Sequence, residues 1–388
     1  MHRPDRRGET AALYAFLSAD PDTWPDLAPL AVQSNGHDRL RRIVAATRER
    51  LGGVEEVRDS PAGLVVSGPS GQVLAWARTD SAGTLADLMI ARGGQGYGPT
   101  GQWRRRLAMS VWVALCCYWI ALCWGAASVT GWIGSFLVVA CGYTMLEGFS
   151  FITEERWWIR RPVEAGGLVA LASAWRLPDL PTGNGTSDVA AGAAVLVLTI
   201  GTLLRSRRHR WGTAVTAPAR FPLRGAWYVG QGGGRLLNHH FQVPEQRGAL
   251  DILQVGASGS RRGAADRLDS YLAYGAEVYA PCDGKVISAV DGVEDQVPGV
   301  IRYGPLYGNH VFIDTGSETV KLGHLRPGTV AVTPGQSVRT GDLLGEVGNS
   351  GNSTEPHLHI HAERDGVGLD LGFADVSGTL HRGRTVRT

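Results

Sequence analysis

The feature that most constrains this chain is a run of 40 residues, Leu107–Leu146, that contains no charged side chain. About 20 apolar residues span the hydrocarbon core of a bilayer, and such a long uncharged run has little use in water. The run predicts two membrane-spanning helices, at about 107–124 and 131–150. A third candidate, Val189–Leu204, is shorter but also uncharged. The sequence therefore predicts a helical transmembrane region over residues 107–204, embedded in a lipid bilayer.

Arginines around these segments bear on orientation, because cytoplasmic loops are enriched in Lys and Arg. Arg104–Arg106 precede the first predicted span and place the N-terminus in the cytoplasm. Four arginines within 205–210 follow the third candidate, and with three spans they would lie outside, against this rule. A fourth span at Val163–Leu177 would bring them inside, but that segment is short and carries two charges. At this point three and four spans both stay open.

The segments before the predicted membrane region carry no recognisable chemistry. Residues 9–19 and 38–52 show helical spacing, and 63–77 predict a β-hairpin. Residues 1–98 are therefore predicted to form a small α+β cytosolic region of unknown role. No apolar core directly follows the basic N-terminus, so a cleavable signal peptide is not expected.

Charge and cysteine content exclude two classes of protein. The formal net charge is only +2, from 38 Lys plus Arg and 36 Asp plus Glu, which argues against a nucleic-acid partner. Four of the five cysteines fall inside the uncharged run, and Cys282 stands alone in the C-terminal half. No disulfide framework is therefore expected.

Candidate chemistry concentrates in the C-terminal part, where eight of the eleven histidines follow residue 230. Short alternating segments separated by turn residues predict an antiparallel β-domain. The predicted strands are 278–280, 285–290, 310–314, 319–322, 343–347 and 357–362. The last of them holds His357, His359 and His361, which strand alternation places on one face. Imidazole nitrogen is a preferred ligand of zinc, and a catalytic zinc keeps three protein ligands.

Four stretches resemble the lysostaphin-type (LytM-type) zinc metallopeptidases, which have the duplicated hybrid motif fold and cleave peptides of bacterial peptidoglycan. They are APCDGKVISAVDG (280–292), YGNHVFIDTGSETVKLGHL (307–325), VTPGQSVRTGDLLGEVG (332–348) and GDLLGEVGNSGNSTEPHLHIHAE (341–363). The resemblance implies a peptidase domain over residues 236–366, between a linker at 205–235 and a tail at 367–388.

The resemblance also implies roles for individual residues. His359 and Asp251 match ligands of a single Zn²⁺ ion, and His324 and His357 match the two catalytic histidines. The family's first motif is His-x-x-x-Asp, but Arg247 stands four residues before Asp251 and cannot bind a metal. We expect a longer loop to return His240 to the metal, with His239 as the alternative ligand.

The expected function is that of a bacterial, multi-pass membrane-anchored zinc metalloendopeptidase. Its expected substrates are peptidoglycan peptides, which favours three spans and an extracytoplasmic peptidase domain. Cell-wall or division-machinery proteins are conceivable further partners. One alternative is an inactive LytM-like domain that binds the cell wall or activates a partner hydrolase. Another is a general zinc protease with a protein substrate.

Overall fold

The computed structural model describes residues 7–60, 63–80, 82–90, 99–149, 157–257, 259–299 and 305–388. Within them, buried apolar side chains form three separate clusters. One lies in the N-terminal region, one in a group of long helices and the largest in the C-terminal β-domain.

The N-terminal region packs four helices against one sheet, so it is an α+β unit. Trp24 is fully buried in its core, stacks on Phe16 with ring centroids 4.7 Å apart, and donates its indole N–H to the Phe16 carbonyl. The elements are α1 (Arg7–Ser18), α2 (Trp24–Leu27), α3 (Pro29–Asn35), α4 (His37–Leu51), β1 (Glu56–Ser60), β2 (Gly63–Gly68), β3 (Gly71–Thr79) and β4 (Leu85–Ile90). The sheet order is β1-β2-β3-β4, and β2 and β3 form a hairpin where the sequence predicts one.

Four long helices follow, where the favoured prediction had three. They are α5 (Pro99–Trp124), α6 (Val129–Phe149), α7 (Trp157–Ala172) and α8 (Thr186–Arg207). Helix α7 begins six residues before the segment 163–177 considered as a fourth span. The helices alternate in direction: Gly134 of α6 lies against Asp188 at the start of α8, and Gly148 lies against Leu203 near its end.

Helices α6 and α8 are long and apolar enough to cross a membrane, and α5 contains a shorter apolar segment, Val113–Trp124. Large apolar side chains point away from the helix group, including Val197 and Leu198 of α8, which are 67% and 69% exposed. Such faces are costly in water, at roughly 25 cal/mol for each Å² of apolar surface.

The C-terminal β-domain is built on a nine-stranded antiparallel sheet with a two-stranded sheet beside it. The path order is β11-β8-β9-β10-β13-β6-β5-β15, β14 pairs with β13, and β12 pairs with β7. The strands are β5 (Ala226–Gln231), β6 (Leu250–Leu253), β7 (Glu277–Tyr279), β8 (Gly284–Val290), β9 (Asn309–Asp314), β10 (Thr319–Leu325), β11 (Ser337–Val338), β12 (Leu343–Glu346), β13 (Leu358–Arg364), β14 (Val367–Gly368) and β15 (Thr385–Arg387). Each of the six predicted strands is present, with its ends within three residues of the predicted ones.

Two predicted boundaries are wrong. Residues 205–235 are not a linker, because α8 runs to Arg207 and β5 is a strand of the main sheet in which Trp227 is 1% exposed. Residues 367–388 are not a tail, because β15 pairs with β5 and Val386 is 2% exposed. These segments have weak alternation of their own and form strands through pairing, β5 with β6 and β15, and β14 with β13.

The N-terminal region contacts the β-domain, which conflicts with the three-span expectation. The Arg39 Nε atom lies 2.7 Å from Glu245 Oε1 of the β-domain. Three crossings would place a bilayer between these two residues. The alternating helices α5–α8 instead begin and end at the same side, as an even number of crossings requires.

Because Trp227 is buried in the main core and donates its indole N–H to the Arg224 carbonyl at 2.9 Å, it tests the corrected boundary. We expect Trp227→Ala to destabilise the β-domain by about 3–5 kcal/mol, the usual cost of emptying a large aromatic site. Thermal unfolding of the detergent-solubilised full chain measures this. Leu236→Ala is the control, since Leu236 is 56% exposed. Equal melting temperatures for both variants would contradict the placement of β5 in the core.

Candidate metal centre

The candidate site lies where β13 passes between β10 and β6. In this register His359 of β13 stands beside Asp251 of β6 on one side and Gly323 of β10 on the other. A side chain at Gly323 would crowd the segment that contains Tyr307, since its Cβ would lie 3.1 Å from the Tyr307 carbonyl oxygen. The sheet register alone therefore brings Asp251 and His359 together, although 108 positions separate them in sequence.

The Asp251 carboxylate is the centre of the site, with imidazole nitrogens on several sides. Its oxygens lie 3.0 Å from His240 Nε2, 2.9 Å from His359 Nδ1 and 3.6 Å from His357 Nε2. Asp251 is 7% exposed, and burial by itself would raise its pKa. The neighbouring histidines outweigh burial and hold the pKa of Asp251 well below its usual range. Asp251 is therefore an anionic acceptor at neutral pH.

His240 reaches the carboxylate from a loop that replaces the family's four-residue spacing. It lies in a 3₁₀ turn, His239–Gln242, and the Asn238 side chain accepts a hydrogen bond from its backbone N–H. Its Nδ1 atom lies 3.2 Å from Gln246 Oε1, which can only accept. In the neutral tautomer that fits this bond, the His240 Nε2 lone pair faces Asp251.

His239 also lies near the site. One potential ligand atom from each of His239, His240 and Asp251 falls within 4.8 Å of the others. His239 is the more exposed of the two histidines, and its backbone N–H is hydrogen-bonded to Gln231. The side chain of Arg247 is exposed. The geometry therefore favours His240 as the nitrogen donor nearest Asp251.

His324 occupies a strained position at a break in the β9–β10 ladder. Its φ angle is 65°, a left-handed conformation that costs a non-glycine residue of order 1 kcal/mol, and the register shifts between Leu322 and Leu325. His324 Nδ1 donates to the Ser350 carbonyl at 2.8 Å. Burial, with the charge of His357 beside it, lowers the pKa of His324 to about 3. His324 is therefore neutral, with Nε2 left as an acceptor.

His357 lies between His324 and the carboxylate. Its ring centroid is 4.7 Å from that of His324, and its Nδ1 atom donates to the Glu355 carbonyl at 2.7 Å. Burial opposes its protonation, but the Asp251 carboxylate outweighs burial and raises the pKa of His357. One neutral and one more basic imidazole thus share this edge of the site.

A second row of buried groups supports His359 from behind. His359 Nε2 lies 3.0 Å from His361 Nδ1, and His361 Nε2 lies 3.8 Å from Glu363, which pairs with Lys321 at 2.7 Å. Hydrogen bonds of this kind fix the tautomer and ring orientation of a ligating histidine. The sequence places His361 on the same face but does not reveal Glu363 or Lys321 as its partners.

Tyr307 and Gln246 are supporting residues that sequence reasoning missed. The Tyr307 ring stacks on His361 with centroids 5.6 Å apart, and Gln246 Nε2 donates to the Tyr307 hydroxyl at 3.0 Å. Arg247 occupies the position at which the His-x-x-x-Asp motif has its histidine, and Gln246 directly precedes it. This neighbourhood was the only hint in the sequence that Gln246 lies near the site. His310, by contrast, is buried outside the site, against Ser288, Gly308 and Phe312.

The types of the donor atoms, and two of the spacings between them, match those of a zinc site. Ligand bonds of about 2.0–2.1 Å in a tetrahedron place the ligand atoms about 3.3 Å apart. The contacts of Asp251 with His240 and His359, 3.0 and 2.9 Å, are close to that spacing. Two neutral nitrogens and one carboxylate oxygen make up a common zinc donor set.

Comparison with known protein families gives one match in the C-terminal part of the chain. Residues 265–371 match the model of Peptidase family M23, a range that holds His324, His357 and His359 but begins after His240 and Asp251.

Three solved structures illustrate the likeness. A candidate M23 peptidase from Pseudomonas aeruginosa is 21% identical, with 44% of this chain and 55% of that chain covered and a TM-score of 0.26. The catalytic domain of lysostaphin from Staphylococcus simulans is 21% identical, covering 30% and 65%, with a TM-score of 0.19. A zinc-containing peptidase from Vibrio cholerae is 23% identical, covering 37% and 43%, with a TM-score of 0.21.

The chain thus spans less than two thirds of each of these three proteins. Within the C-terminal β-domain, residues 265–371 are thus similar in sequence to Peptidase family M23.

Proposed function

We propose that this protein is a membrane-anchored zinc metalloendopeptidase that hydrolyses peptide bonds in peptidoglycan. One observation carries the proposal: the buried Asp251 carboxylate has the nitrogens of His240 and His359 within 3.0 Å. An isolated buried carboxylate among neutral groups would cost several kcal/mol. A divalent cation held by these three residues offsets that cost. His239 is the alternative nitrogen donor.

The roles of the other residues follow from their hydrogen bonds. Bound zinc supplies Lewis-acid activation of a water molecule and of the substrate's carbonyl group. His324 presents an unprotonated Nε2, because its Nδ1 atom donates to Ser350, and it can accept a proton from water. His357 Nε2 lies 3.6 Å from Asp251 and, when protonated, can donate a hydrogen bond to negative charge that develops on the substrate.

Membrane anchoring is supported by the apolar surfaces of α5, α6 and α8. Exposed large apolar side chains on these helices, among them Leu115 of α5, Met145 of α6 and Val197 of α8, would be covered by lipid. In this arrangement the loop joining α7 to α8 lies at the end of the bundle opposite the β-domain. The N-terminal region and the β-domain then share one membrane face.

The identity of that face decides the substrate. Peptidoglycan requires the outer face. The arginines at the start of α5, around the start of α7 and at the end of α8 all lie at the end that carries the two domains, and this charge bias favours the cytoplasmic face. The arginine distribution supports a second candidate function, a zinc protease that cleaves polypeptides at the cytoplasmic surface.

The metal ligands can be separated by three single variants of the full chain. We expect the wild type to bind about one zinc ion and His240→Ala to lose it, because His240 Nε2 faces Asp251. His239→Ala should bind more weakly than wild type but more tightly than His240→Ala. Arg247→Ala is the control and should keep the metal, since its side chain is exposed and cannot coordinate. Elemental analysis after reconstitution measures this, and loss of zinc in His239→Ala alone would reverse the assignment.

Catalytic and metal-binding roles should separate in His324→Ala and His357→Ala. We expect both variants to retain zinc and to lose peptide cleavage by roughly 10²–10⁴-fold, the usual contribution of general acid–base catalysis. Release of new amino groups from purified peptidoglycan, and from a denatured protein as the second substrate, measures cleavage. His310→Ala is the control for a buried histidine outside the site, compared at matched folded fraction. Undiminished cleavage by either variant would contradict its assigned role.

Membrane topology is tested by reporters fused at each end of the full chain. We expect a reporter before Met1 and one after Thr388 to indicate the same membrane face, because Arg39 and Glu245 are in contact. A reporter that follows Gly183, in the loop between α7 and α8, should indicate the opposite face. If the two terminal reporters indicate opposite membrane faces, the three-span topology is correct instead. Exported ends support peptidoglycan as the substrate, and cytoplasmic ends support a cytoplasmic polypeptide.

A further inference from the structure

Arg39 is a buried cation that the N-terminal region inserts into the β-domain. Its side chain is 12% exposed, and its Nε atom lies 2.7 Å from Glu245 Oε1, whose side chain is 7% exposed. The N–H direction is not aligned for a hydrogen bond, so the contact is an ion pair. The charge of Arg39 also interacts with Tyr307 and Glu363. A long cation ordered in this way loses about 2 kcal/mol of rotamer entropy, which its partners must offset.

The partners of Arg39 lead directly to the metal loop. Glu245 and Gln246 belong to one 3₁₀ turn, Pro244–Gln246, and Gln246 contacts both His240 Nδ1 and the Tyr307 hydroxyl. Arg39 therefore acts on the turn that orients His240 and on the tyrosine that flanks His361. This path through Arg39 is enough to couple the N-terminal region to the metal site.

The loop that carries His240 needs such support more than a strand would. Asp251 and His359 are held by the ladder between β6 and β13. His240 lies outside any strand, in a segment held by short turns and by the side chains of Asn238 and Gln246. In the His-x-x-x-Asp arrangement the first ligand is only four residues from the aspartate, but here eleven residues separate them.

Further described contacts between the two regions involve charged side chains, and the two hydrophobic cores form separate clusters. The Arg42 guanidinium lies against Gly366, the Arg78 charge interacts with His310, and α3 approaches β8. Such an interface resembles a reversible contact between domains rather than a shared core. Docking can therefore change without unfolding either unit.

We propose that the N-terminal region is an intramolecular activating domain, in which Arg39 is a positioning residue that holds the His240 loop in its metal-binding conformation. The inference rests on the proposed metal site and adds a role for residues 7–90. Undocking would free the turn at Glu245 and weaken the metal site while leaving the β6–β13 ladder intact.

The test measures zinc affinity of the full chain in detergent by competition with a chelator. We expect Arg39→Gln and Glu245→Gln each to raise the zinc dissociation constant about 10-fold or more, the usual effect of removing an outer partner of a ligand. Each single variant also leaves a buried charge unpaired. The double variant removes both charges. Its zinc dissociation constant should therefore be no higher than that of whichever single variant binds zinc less tightly.

Two controls separate positioning from general destabilisation. Arg41→Gln removes a cation of the same helix that is 55% exposed and pairs only within the N-terminal region, with Asp22. Val44→Ala opens a cavity in the core of that region, where Val44 is 1% exposed, without touching the contact. Both should bind zinc like wild type, although Val44→Ala lowers the melting temperature of the N-terminal region.

The inference fails if Arg39→Gln binds zinc within twofold of wild type, if Val44→Ala weakens zinc equally, or if the losses multiply in the double variant. Each of these results leaves the proposed function standing. Absence of zinc binding in the wild-type chain would instead overturn the proposed function itself.

Discussion

The interaction on which this structure depends is the pairing of β6 with β13, which sets Asp251 beside His359. An anion at 7% exposure needs compensating partners, and ring nitrogens of His240, His357 and His359 surround this one at 2.9–3.6 Å. The register is fixed by apolar neighbours, since Leu358 and Ile360 of β13 and Ile252 of β6 are completely buried. A shift by one residue would turn all the histidines of β13 to the other face of the sheet. The hydrophobic core thus fixes the position of the polar site.

Around this pair, the site is divided between rigid and adaptable elements. His359 is held by the sheet and by the row His361, Glu363 and Lys321. His324 depends on a strained backbone and a single carbonyl partner, Ser350. His240 depends on a loop whose support extends through Gln246 and Glu245 to another part of the chain. The site is therefore most sensitive to events outside the β-domain at His240.

Sequence reasoning reached those parts of the fold that depend on local pattern. Alternation identified six strands of the β-domain and the hairpin of β2 and β3, and helical spacing identified α1 and α4. In the β-domain it failed at β5, β6, β11, β14 and β15, which are short or lack clear alternation, and whose hydrogen bonds are supplied by partner strands. It also favoured three long helices, because Glu164 and Arg176 obscured α7. The secondary structure of a segment with mixed polarity depends on the elements that pack against it more than on its own composition.

The sequence by itself determined that His357, His359 and His361 share a face, because side chains alternate in any strand, and that Arg247 cannot be a ligand, because a guanidinium has no lone pair to offer. Only the tertiary structure shows that His240 Nε2 lies 3.0 Å from Asp251, since that distance depends on how the intervening loop folds back. Only the tertiary structure brought Arg39 to Glu245, because ion pairs between distant segments leave no periodic trace in a sequence. Residue types and their spacing indicate local chemistry, whereas contacts between residues far apart in sequence depend on how the chain packs.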